Sequence, residues 1–403
     1  MEIYPAKSKF WEPIKGETFN SFIYFVKNER GIKDPHDINI IENNAVNILK
    51  KCVYDEKTTV NSTKRTILHL GEVQSGKTLT MCSVIALAYD NDFLITTILT
   101  GTKNILKAQN QDRIKEVLNA IDSGNTKFIY YSEPTENEQL KTQLKDLTKK
   151  KKFIANKMMV FTMLKHQNSM KRLSEIFTSD ESNVTNYPIR SLILDDEADQ
   201  ASPNTQVRKN KRSPINKSII DLRQNHSKFC TYIQVTATAQ PLFLIDKDDP
   251  MSPDFISVSD TPKAYIGIKN YFLTKKRREK FVIKIEEDDI PEPDDSSAFM
   301  PQKLQEALDH YIVATAISET LEKPLKPPFT FLCHPDWRKE EHNRYEAWIR
   351  KYINKLKEQI LDEDYEENAH EALKIPFEKA ISNLEKSSIS YEKIKNNVGK
   401  ILE

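Results

Sequence analysis

The 403-residue chain reads as an α/β protein built around a parallel sheet, and three observations predict this. Short apolar segments rich in β-branched residues, such as 93–100 and 229–236, alternate with longer amphipathic ones. The apolar segments carry little charge on either alternating face, as strands covered on both sides do. Gly71 then breaks the first of these segments just before a helical pattern begins, in a chain with only eight glycines.

Each element follows from its own pattern. Phe19, Phe22, Ile23 and Val26 share one helical face, and Ile40, Ile41, Ala45, Ile48 and Leu49 repeat the spacing after the Gly31–Pro35 break. A strand is expected over Thr66–Leu70, a helix over Lys77–Tyr89, a strand over Phe93–Thr100 and a helix over Thr102–Ala120. Next come a strand at Lys127–Tyr131, a charged, helix-rich connector to Lys152, a strand at Met158–Met163 and a helix at Leu164–Phe177. The strand Ile189–Leu194 ends in acids, and the helix Pro214–His226 leads to the strand Phe229–Thr236. The expected organisation is an N-terminal helical region (1–60), an α/β domain (61–272), a charged connector (273–300) and a mostly helical region (301–403). The connector holds Lys275–Arg278, the acidic runs Glu286–Asp289 and Glu292–Asp295, and Pro291 and Pro293. After it, a helix is expected over Pro301–Glu322, a strand over Phe329–Cys333, and charged helices over Tyr345–Leu361 and Ala369–Leu384.

Composition narrows the function classes. Lys and Arg (60) nearly balance Asp and Glu (59), so any basic surface for a polyanion has to be local. The runs Lys149–Lys152 and Arg208–Arg212 read by default as solvated loops. Four scattered cysteines with no CxxC pair exclude a zinc knuckle by spacing and point to a reducing compartment. Met1–Phe10 has no signal-peptide pattern, and the apolar runs are too short to span a bilayer, so a cytoplasmic protein with no membrane partner is expected. His69, His166, His226 and His334 lack metal-ligand spacing, and Trp337 reads as a packing anchor.

The chemistry sits at the ends of the strands. Gly71-Glu72-Val73-Gln74-Ser75-Gly76-Lys77-Thr78 fits the phosphate-binding loop pattern in full, after a strand and opening a helix. Gly71, Gln74, Ser75 and Gly76 would curl backbone N–H groups around the phosphates of ATP. Lys77 would reach the β- and γ-phosphates, and the Thr78 hydroxyl would ligate Mg2+. The strand 191–194 delivers Asp195, Asp196 and Glu197 to the carboxyl edge of the sheet. Asp196 is the expected outer-shell or direct magnesium ligand and Glu197 the group that orients and deprotonates water; a solvated acidic turn is the alternative. Thr236 and Thr238 end the next strand, where their hydroxyls could bond the acids and couple nucleotide state to a second lobe, or serve ordinary turn chemistry. Thr100, Gly101, Thr102 and Gln109, with Arg113, lie where helicase-like folds meet the nucleic-acid backbone.

In order along the chain, the segments Gly71–Thr78, Leu99–Thr102, Leu192–Ser202 and Val235–Phe243, followed by Tyr265, Gly267 and Phe272, resemble the Z-one (Z1) domain family. This family carries an endonuclease label and groups with bacterial superfamily-two helicase-like ATPases. The resemblance covers most of 60–335. It implies a RecA-like P-loop ATPase in which Asp196–Asp199 looks like the DEAD box and Thr236–Thr238 like the coupling motif. It also implies a motor or sensor acting on DNA in a bacterial restriction-like or anti-phage system, beside MutL- or MORC-like GHKL ATPases and separate nucleases.

Two departures matter. Relatives commonly have proline directly after the Thr-Ala-Thr triplet, whereas Ala239 and Gln240 intervene here before Pro241. A helicase-like engine also needs a second lobe with an arginine finger. Only Phe329–Cys333 resembles the start of such a lobe, and Arg338, Arg344 and Arg350 are poor finger candidates. The expectation is an N-terminal portion of a longer polypeptide, or a site completed by a partner, with hydrolysis slowed by a factor of about 10³ or more. The alternatives to a motor are an ATP-gated scaffold controlling partner assembly and an endonuclease, although no metal-nuclease constellation stands out. RNA stays open as a substrate because such motifs contact the sugar–phosphate backbone.

Overall fold

The computed structural model describes residues 10–55, 63–73, 75–101, 104–122, 124, 127–136, 138–149, 157–180, 183–209, 211–263, 265–273, 275, 278, 282–286, 289–292, 299–320, 329–361, 394, 397–398 and 400–401. Its backbone divides into two compact units, Met1–Gly267 and Ile268–Glu403.

The first unit holds seven strands: β1 (Lys64–Leu70), β2 (Phe93–Thr100), β3 (Phe128–Ser132), β4 (Met158–Leu164), β5 (Arg190–Asp196), β6 (Phe229–Thr236) and β7 (Phe255–Val258). They form one sheet in the order β3-β4-β2-β5-β6-β1-β7. Every pairing is parallel, so all the carboxyl ends lie on one edge. This is the expected RecA-like α/β architecture, with helices covering the sheet. β7 was not anticipated; it is a four-residue strand whose pattern is too short to distinguish from a loop.

Strand side chains alternate between two cores. Leu192 and Leu194 of β5 and Met158 and Val160 of β4 join one core with α1 (Glu17–Asn28), α2 (Pro35–Leu49), α3 (Lys77–Tyr89) and α4 (Asn104–Ile121). Ile193 of β5, Met159 and Phe161 of β4 and Tyr232 of β6 join the other with α5 (Glu138–Thr148), α6 (Gln167–Thr178) and α7 (Pro214–Asn225). Each fully buried aliphatic or aromatic side chain stabilises this sandwich by about 1.5–3 kcal/mol relative to exposure.

The N-terminal helices are tied to the sheet by polar contacts. No side chain of α1 itself caps its start. The Asp90 carboxylate, at the end of α3, accepts from the backbone N–H of Thr18 (3.1 Å) and Phe19 (2.8 Å) instead. Gly16 leaves it room, since a Cβ there would lie 2.6 Å from Asp90 Cγ. Asp34 and Pro35 open α2 in the usual way, with the Asp34 side chain accepting from His36 N at 2.8 Å. Cys52 and Cys82 are buried and free, and burial pushes both thiols up to about 12.

In the second unit, α8 (Gln302–Ser318) and α9 (Lys339–Leu361) bury Ile312, Val313, Ala316, Ile317 and Leu356 with Ile394 and Val398. The strand expected at Phe329–Cys333 does not form. Residues 329–336 pair with no strand among the described residues, and Leu332 is 88% exposed. Alternation gives a segment its pattern, but a ladder needs a neighbour, and none is in register here. Trp337 is 86% exposed and is not the packing anchor expected. The predicted helix 369–384, the basic residues 150–152, 276 and 277, Asn210, and the connector residues 287–288 and 293–295 lie outside the described residues.

Candidate nucleotide site

β1 ends at Leu70, and Gly71 turns the chain onto the carboxyl edge of the sheet. A Cβ at Gly71 would lie 3.1 Å from Lys77 Cγ and 3.2 Å from Ser75 Oγ, so the loop closes tightly over this position. Gly76 has φ +89, the left-handed region that glycine enters without a Cβ penalty, and it opens α3 with no capping side chain. The first amide groups of α3 are therefore left for an anion. Lys77 Nζ folds back to the Glu72 carbonyl at 3.3 Å. Ser75 and Thr78 are half-buried on the same turn. Gln74 lies outside the described residues.

The acids stand two strands away, beyond β6, at a separation of about 10 Å by strand spacing. Asp195 is buried and structural. It accepts from the hydroxyls of Ser202 (2.7 Å) and Tyr232, and its Oδ1 lies 3.1 Å from Lys165 Nζ. Asp196 is also buried, and Asn110 Nδ2 donates to its Oδ2 at 3.0 Å. Burial, reinforced by repulsion from Glu197, raises the Asp196 carboxyl to about 6, with Lys165 and Lys77 pulling it down. Glu197 sits at φ +54, an uncommon conformation for a side-chain-bearing residue, and is half-buried. Its Oε2 lies 3.9 Å from where a Cβ on Gly101 would be, so Gly101 leaves this carboxylate its space.

Lys165 holds the acid loop in place. Its side chain is fully buried at the end of β4. It donates to the carbonyls of Asp196 (2.7 Å), Glu197 (2.8 Å) and Gln200 (3.2 Å). Three ammonium protons meet three carbonyls, and Asp195 supplies the counter-charge without receiving a proton. The sequence pattern missed this residue because it assigned Lys165 to the following helix; a lysine directly after an apolar strand was the available signal.

β6 connects the two loops. The Thr236 carbonyl accepts from Gly71 N (3.0 Å), and the Val235 carbonyl accepts from Ala198 N (3.1 Å). The Thr236 hydroxyl donates to Asp199 Oδ1 at 2.5 Å, and Thr238 N donates back to Thr236 Oγ1 at 2.9 Å. Thr236 thus reaches Asp199, whereas Thr238 engages Thr236 through its backbone N–H. Of the residues considered for a nucleic-acid backbone, Thr100 is fully buried with its hydroxyl on Met163 O (3.1 Å), so it presents nothing to a ligand. Gly101 is partly accessible on the edge, whereas Thr102 and the Gln109 side chain lie outside the described residues. Among the described residues, no three His, Cys, Asp or Glu side chains cluster to hold a metal, and no helix is long and apolar enough to cross a membrane.

An all-parallel sheet with a glycine-bounded loop and adjacent acids on its carboxyl edge defines the RecA-like class of α/β folds. The family assignment expected from the motifs is borne out by the Z1 domain, whose family model matches residues 303–403. That match lies in the second unit, whereas the motifs of the resemblance lie mainly in the first. Two solved structures of the DUF1998 helicase MrfA, one bound to DNA and AMPPNP and one bound to DNA, align at 16% identity with a TM-score of 0.35. They cover 64% of this chain, which spans only 31% and 30% of theirs. No activity follows from a likeness at that level. No curated protein matches the chain.

Proposed function

We propose that the chain binds ATP on Gly71–Thr78 and hydrolyses it with Asp196 and Glu197, as the ATPase core of a helicase-like motor or sensor acting on DNA. The observation that carries this reading is the juxtaposition of the two loops on one sheet edge, each bonded through its backbone to the end of β6. The tight Gly71 turn and the uncapped α3 fit a phosphate chain. Thr78 and Asp196 fit the usual magnesium site of one carboxylate and one hydroxyl beside substrate phosphates, and the ion would neutralise charge there. Glu197 would take the proton of the attacking water, and Lys77 would stabilise charge building on the phosphates. Thr236, bonded to Asp199, and Thr238, whose backbone N–H bonds the Thr236 hydroxyl, would pass the nucleotide state onward. Gly101, Thr102 and Gln109 would face the nucleic-acid backbone. From the family resemblance, we place the protein in a bacterial restriction-like defence system, with a GHKL ATPase or nuclease as partner.

ATP turnover with magnesium, measured with and without single- and double-stranded DNA, tests this. DNA should raise the rate, Lys77→Ala should abolish it, and Glu197→Gln should lower it by about 10²–10⁴-fold. Lys77-dependent ATP binding with a rate indifferent to DNA would replace the motor with the gated scaffold. Turnover unchanged in both variants would refute the site.

A further inference from the structure

Beside the phosphate loop, on the side away from the acids, lies a cavity of about 530 Å³. Its walls are α2, the phosphate loop with the start of α3, and Ser259, Asp260, Pro262, Tyr265 and Ile266 after β7. Ser75 and Gly76 line it, so it opens directly onto the place where phosphates would sit. Resting on the phosphate-site reading above, we infer that this cavity seats the adenine base of the nucleotide, with Asn44 reading the base edge.

Shape and chemistry both support this seat. Ile40 and Ile41 of α2, Leu79 of α3 and Ile266 all line the cavity, giving apolar surface for a flat base. The walls are fixed to one another before any ligand arrives. Lys263 N donates to Asp37 Oδ1 at 3.0 Å, and Ser259 N donates to Leu70 O at 2.7 Å. The Tyr265 hydroxyl donates to the Val73 carbonyl at 2.5 Å, tying the segment to the phosphate loop itself. A preformed, mostly apolar cavity with few convergent polar groups is what a small-molecule site requires.

Asn44 is the polar group best placed to discriminate. It is buried, and both ends of its amide meet the Asp260 backbone only at 3.4 Å, the long limit of a hydrogen bond. A base edge at 2.9 Å would make the better pair. The amide offers one acceptor and one donor side by side, which matches the 6-amino group and N7 of adenine. Guanine presents two acceptors on that edge, so the amide oxygen would face a lone pair.

The test is calorimetric titration of the full chain with ATP, GTP and inorganic tripolyphosphate, each with magnesium. Wild type should bind ATP at least about tenfold more tightly than tripolyphosphate, because burying the base adds apolar contact. Ile41→Trp, which fills the cavity, should erase that advantage while leaving tripolyphosphate affinity unchanged, and the latter also reports that the variant is folded. Asn44→Ala should shrink the preference for ATP over GTP and leave tripolyphosphate untouched. If both variants keep wild-type ratios while Lys77→Ala loses all three ligands, the base lies elsewhere and the phosphate site stands. If wild type binds neither ATP nor tripolyphosphate, the phosphate site fails and the base seat falls with it. Should Ile41→Trp lose tripolyphosphate through misfolding, the Asn44→Ala ratio decides alone.

Discussion

Replacing Lys165 with methionine keeps the apolar stem and deletes the ammonium. The Asp196, Glu197 and Gln200 carbonyls then lose their donor, and Asp195 keeps a buried carboxylate supported only by the Ser202 and Tyr232 hydroxyls. Breaking a buried ion pair from one side costs about 3–5 kcal/mol, and orphaned carbonyls add to that, so a loss of about 4–6 kcal/mol is expected. Against the 5–15 kcal/mol that typically holds a domain together, this is a large fraction. Urea unfolding of Lys165→Met, Asp195→Asn and the double variant measures it. In the double variant both charges are gone, so its cost should fall short of the sum of the singles by at least about 1 kcal/mol. Activity provides a second reading. Glu197 is carried by a strained backbone that Lys165 pins, and a displacement of about 1 Å can cost roughly 10²-fold in rate. The kcat for ATP should therefore fall far more than its KM rises in whatever fraction remains folded. A loss below about 1 kcal/mol for Lys165→Met, or strictly additive singles, would refute the clamp.

His69 is fully buried on β1 with its Nε2 3.1 Å from Ser259 Oγ, and burial followed by the Lys51 and Lys77 charges lowers its pKa from 6.5 to about 4. A depressed pKa contributes stability that is complete above pH 6.5 and is lost as pH falls toward 4, amounting to about 2.5 kcal/mol between pH 7.5 and 4.5. His69→Gln should remove that share of the acid loss in urea titrations at the two pH values, leaving the share from His226, which burial also lowers. An identical acid loss in variant and wild type would contradict the assignment. Asp90→Ala should cost about 1–2 kcal/mol by uncapping α1 from outside the helix. Gly16→Ala should also destabilise, yet less so in the Asp90→Ala background, where the 2.6 Å clash with Cγ disappears; equal costs in both backgrounds, read from thermal unfolding, would count against the remote cap.

What was legible in the sequence was what is local. The phosphate loop announces itself because glycines, lysine and threonine act through their own backbone turn, and the strands because their apolar runs are continuous. The acids at the end of β5 were legible for the same reason, but their division of labour was not. Asp195 serves as an anchor because Lys165, Ser202 and Tyr232 converge on it from three other segments, and no spacing along the chain records that. The same limit explains Thr100, which looked available at a strand end and turns inward to Met163. Phe329–Cys333 erred the other way, since its pattern was strand-like but pairing depends on a partner elsewhere. The cavity by α2 was invisible because its walls are separated by more than two hundred residues of chain.

The end of β6 has a consequence for how such a site tolerates change. The loop bearing Lys77 and the loop bearing Glu197 are each fastened to that strand by main-chain bonds, from Gly71 to Thr236 and from Ala198 to Val235. The gap between the two loops is therefore gauged by peptide geometry, and side-chain identity in β6 enters through the Tyr232 and Thr236 hydroxyls. Side chains that touch neither loop can change without altering that gap. A proline at 71 or 198, which deletes a single N–H, would alter it at once.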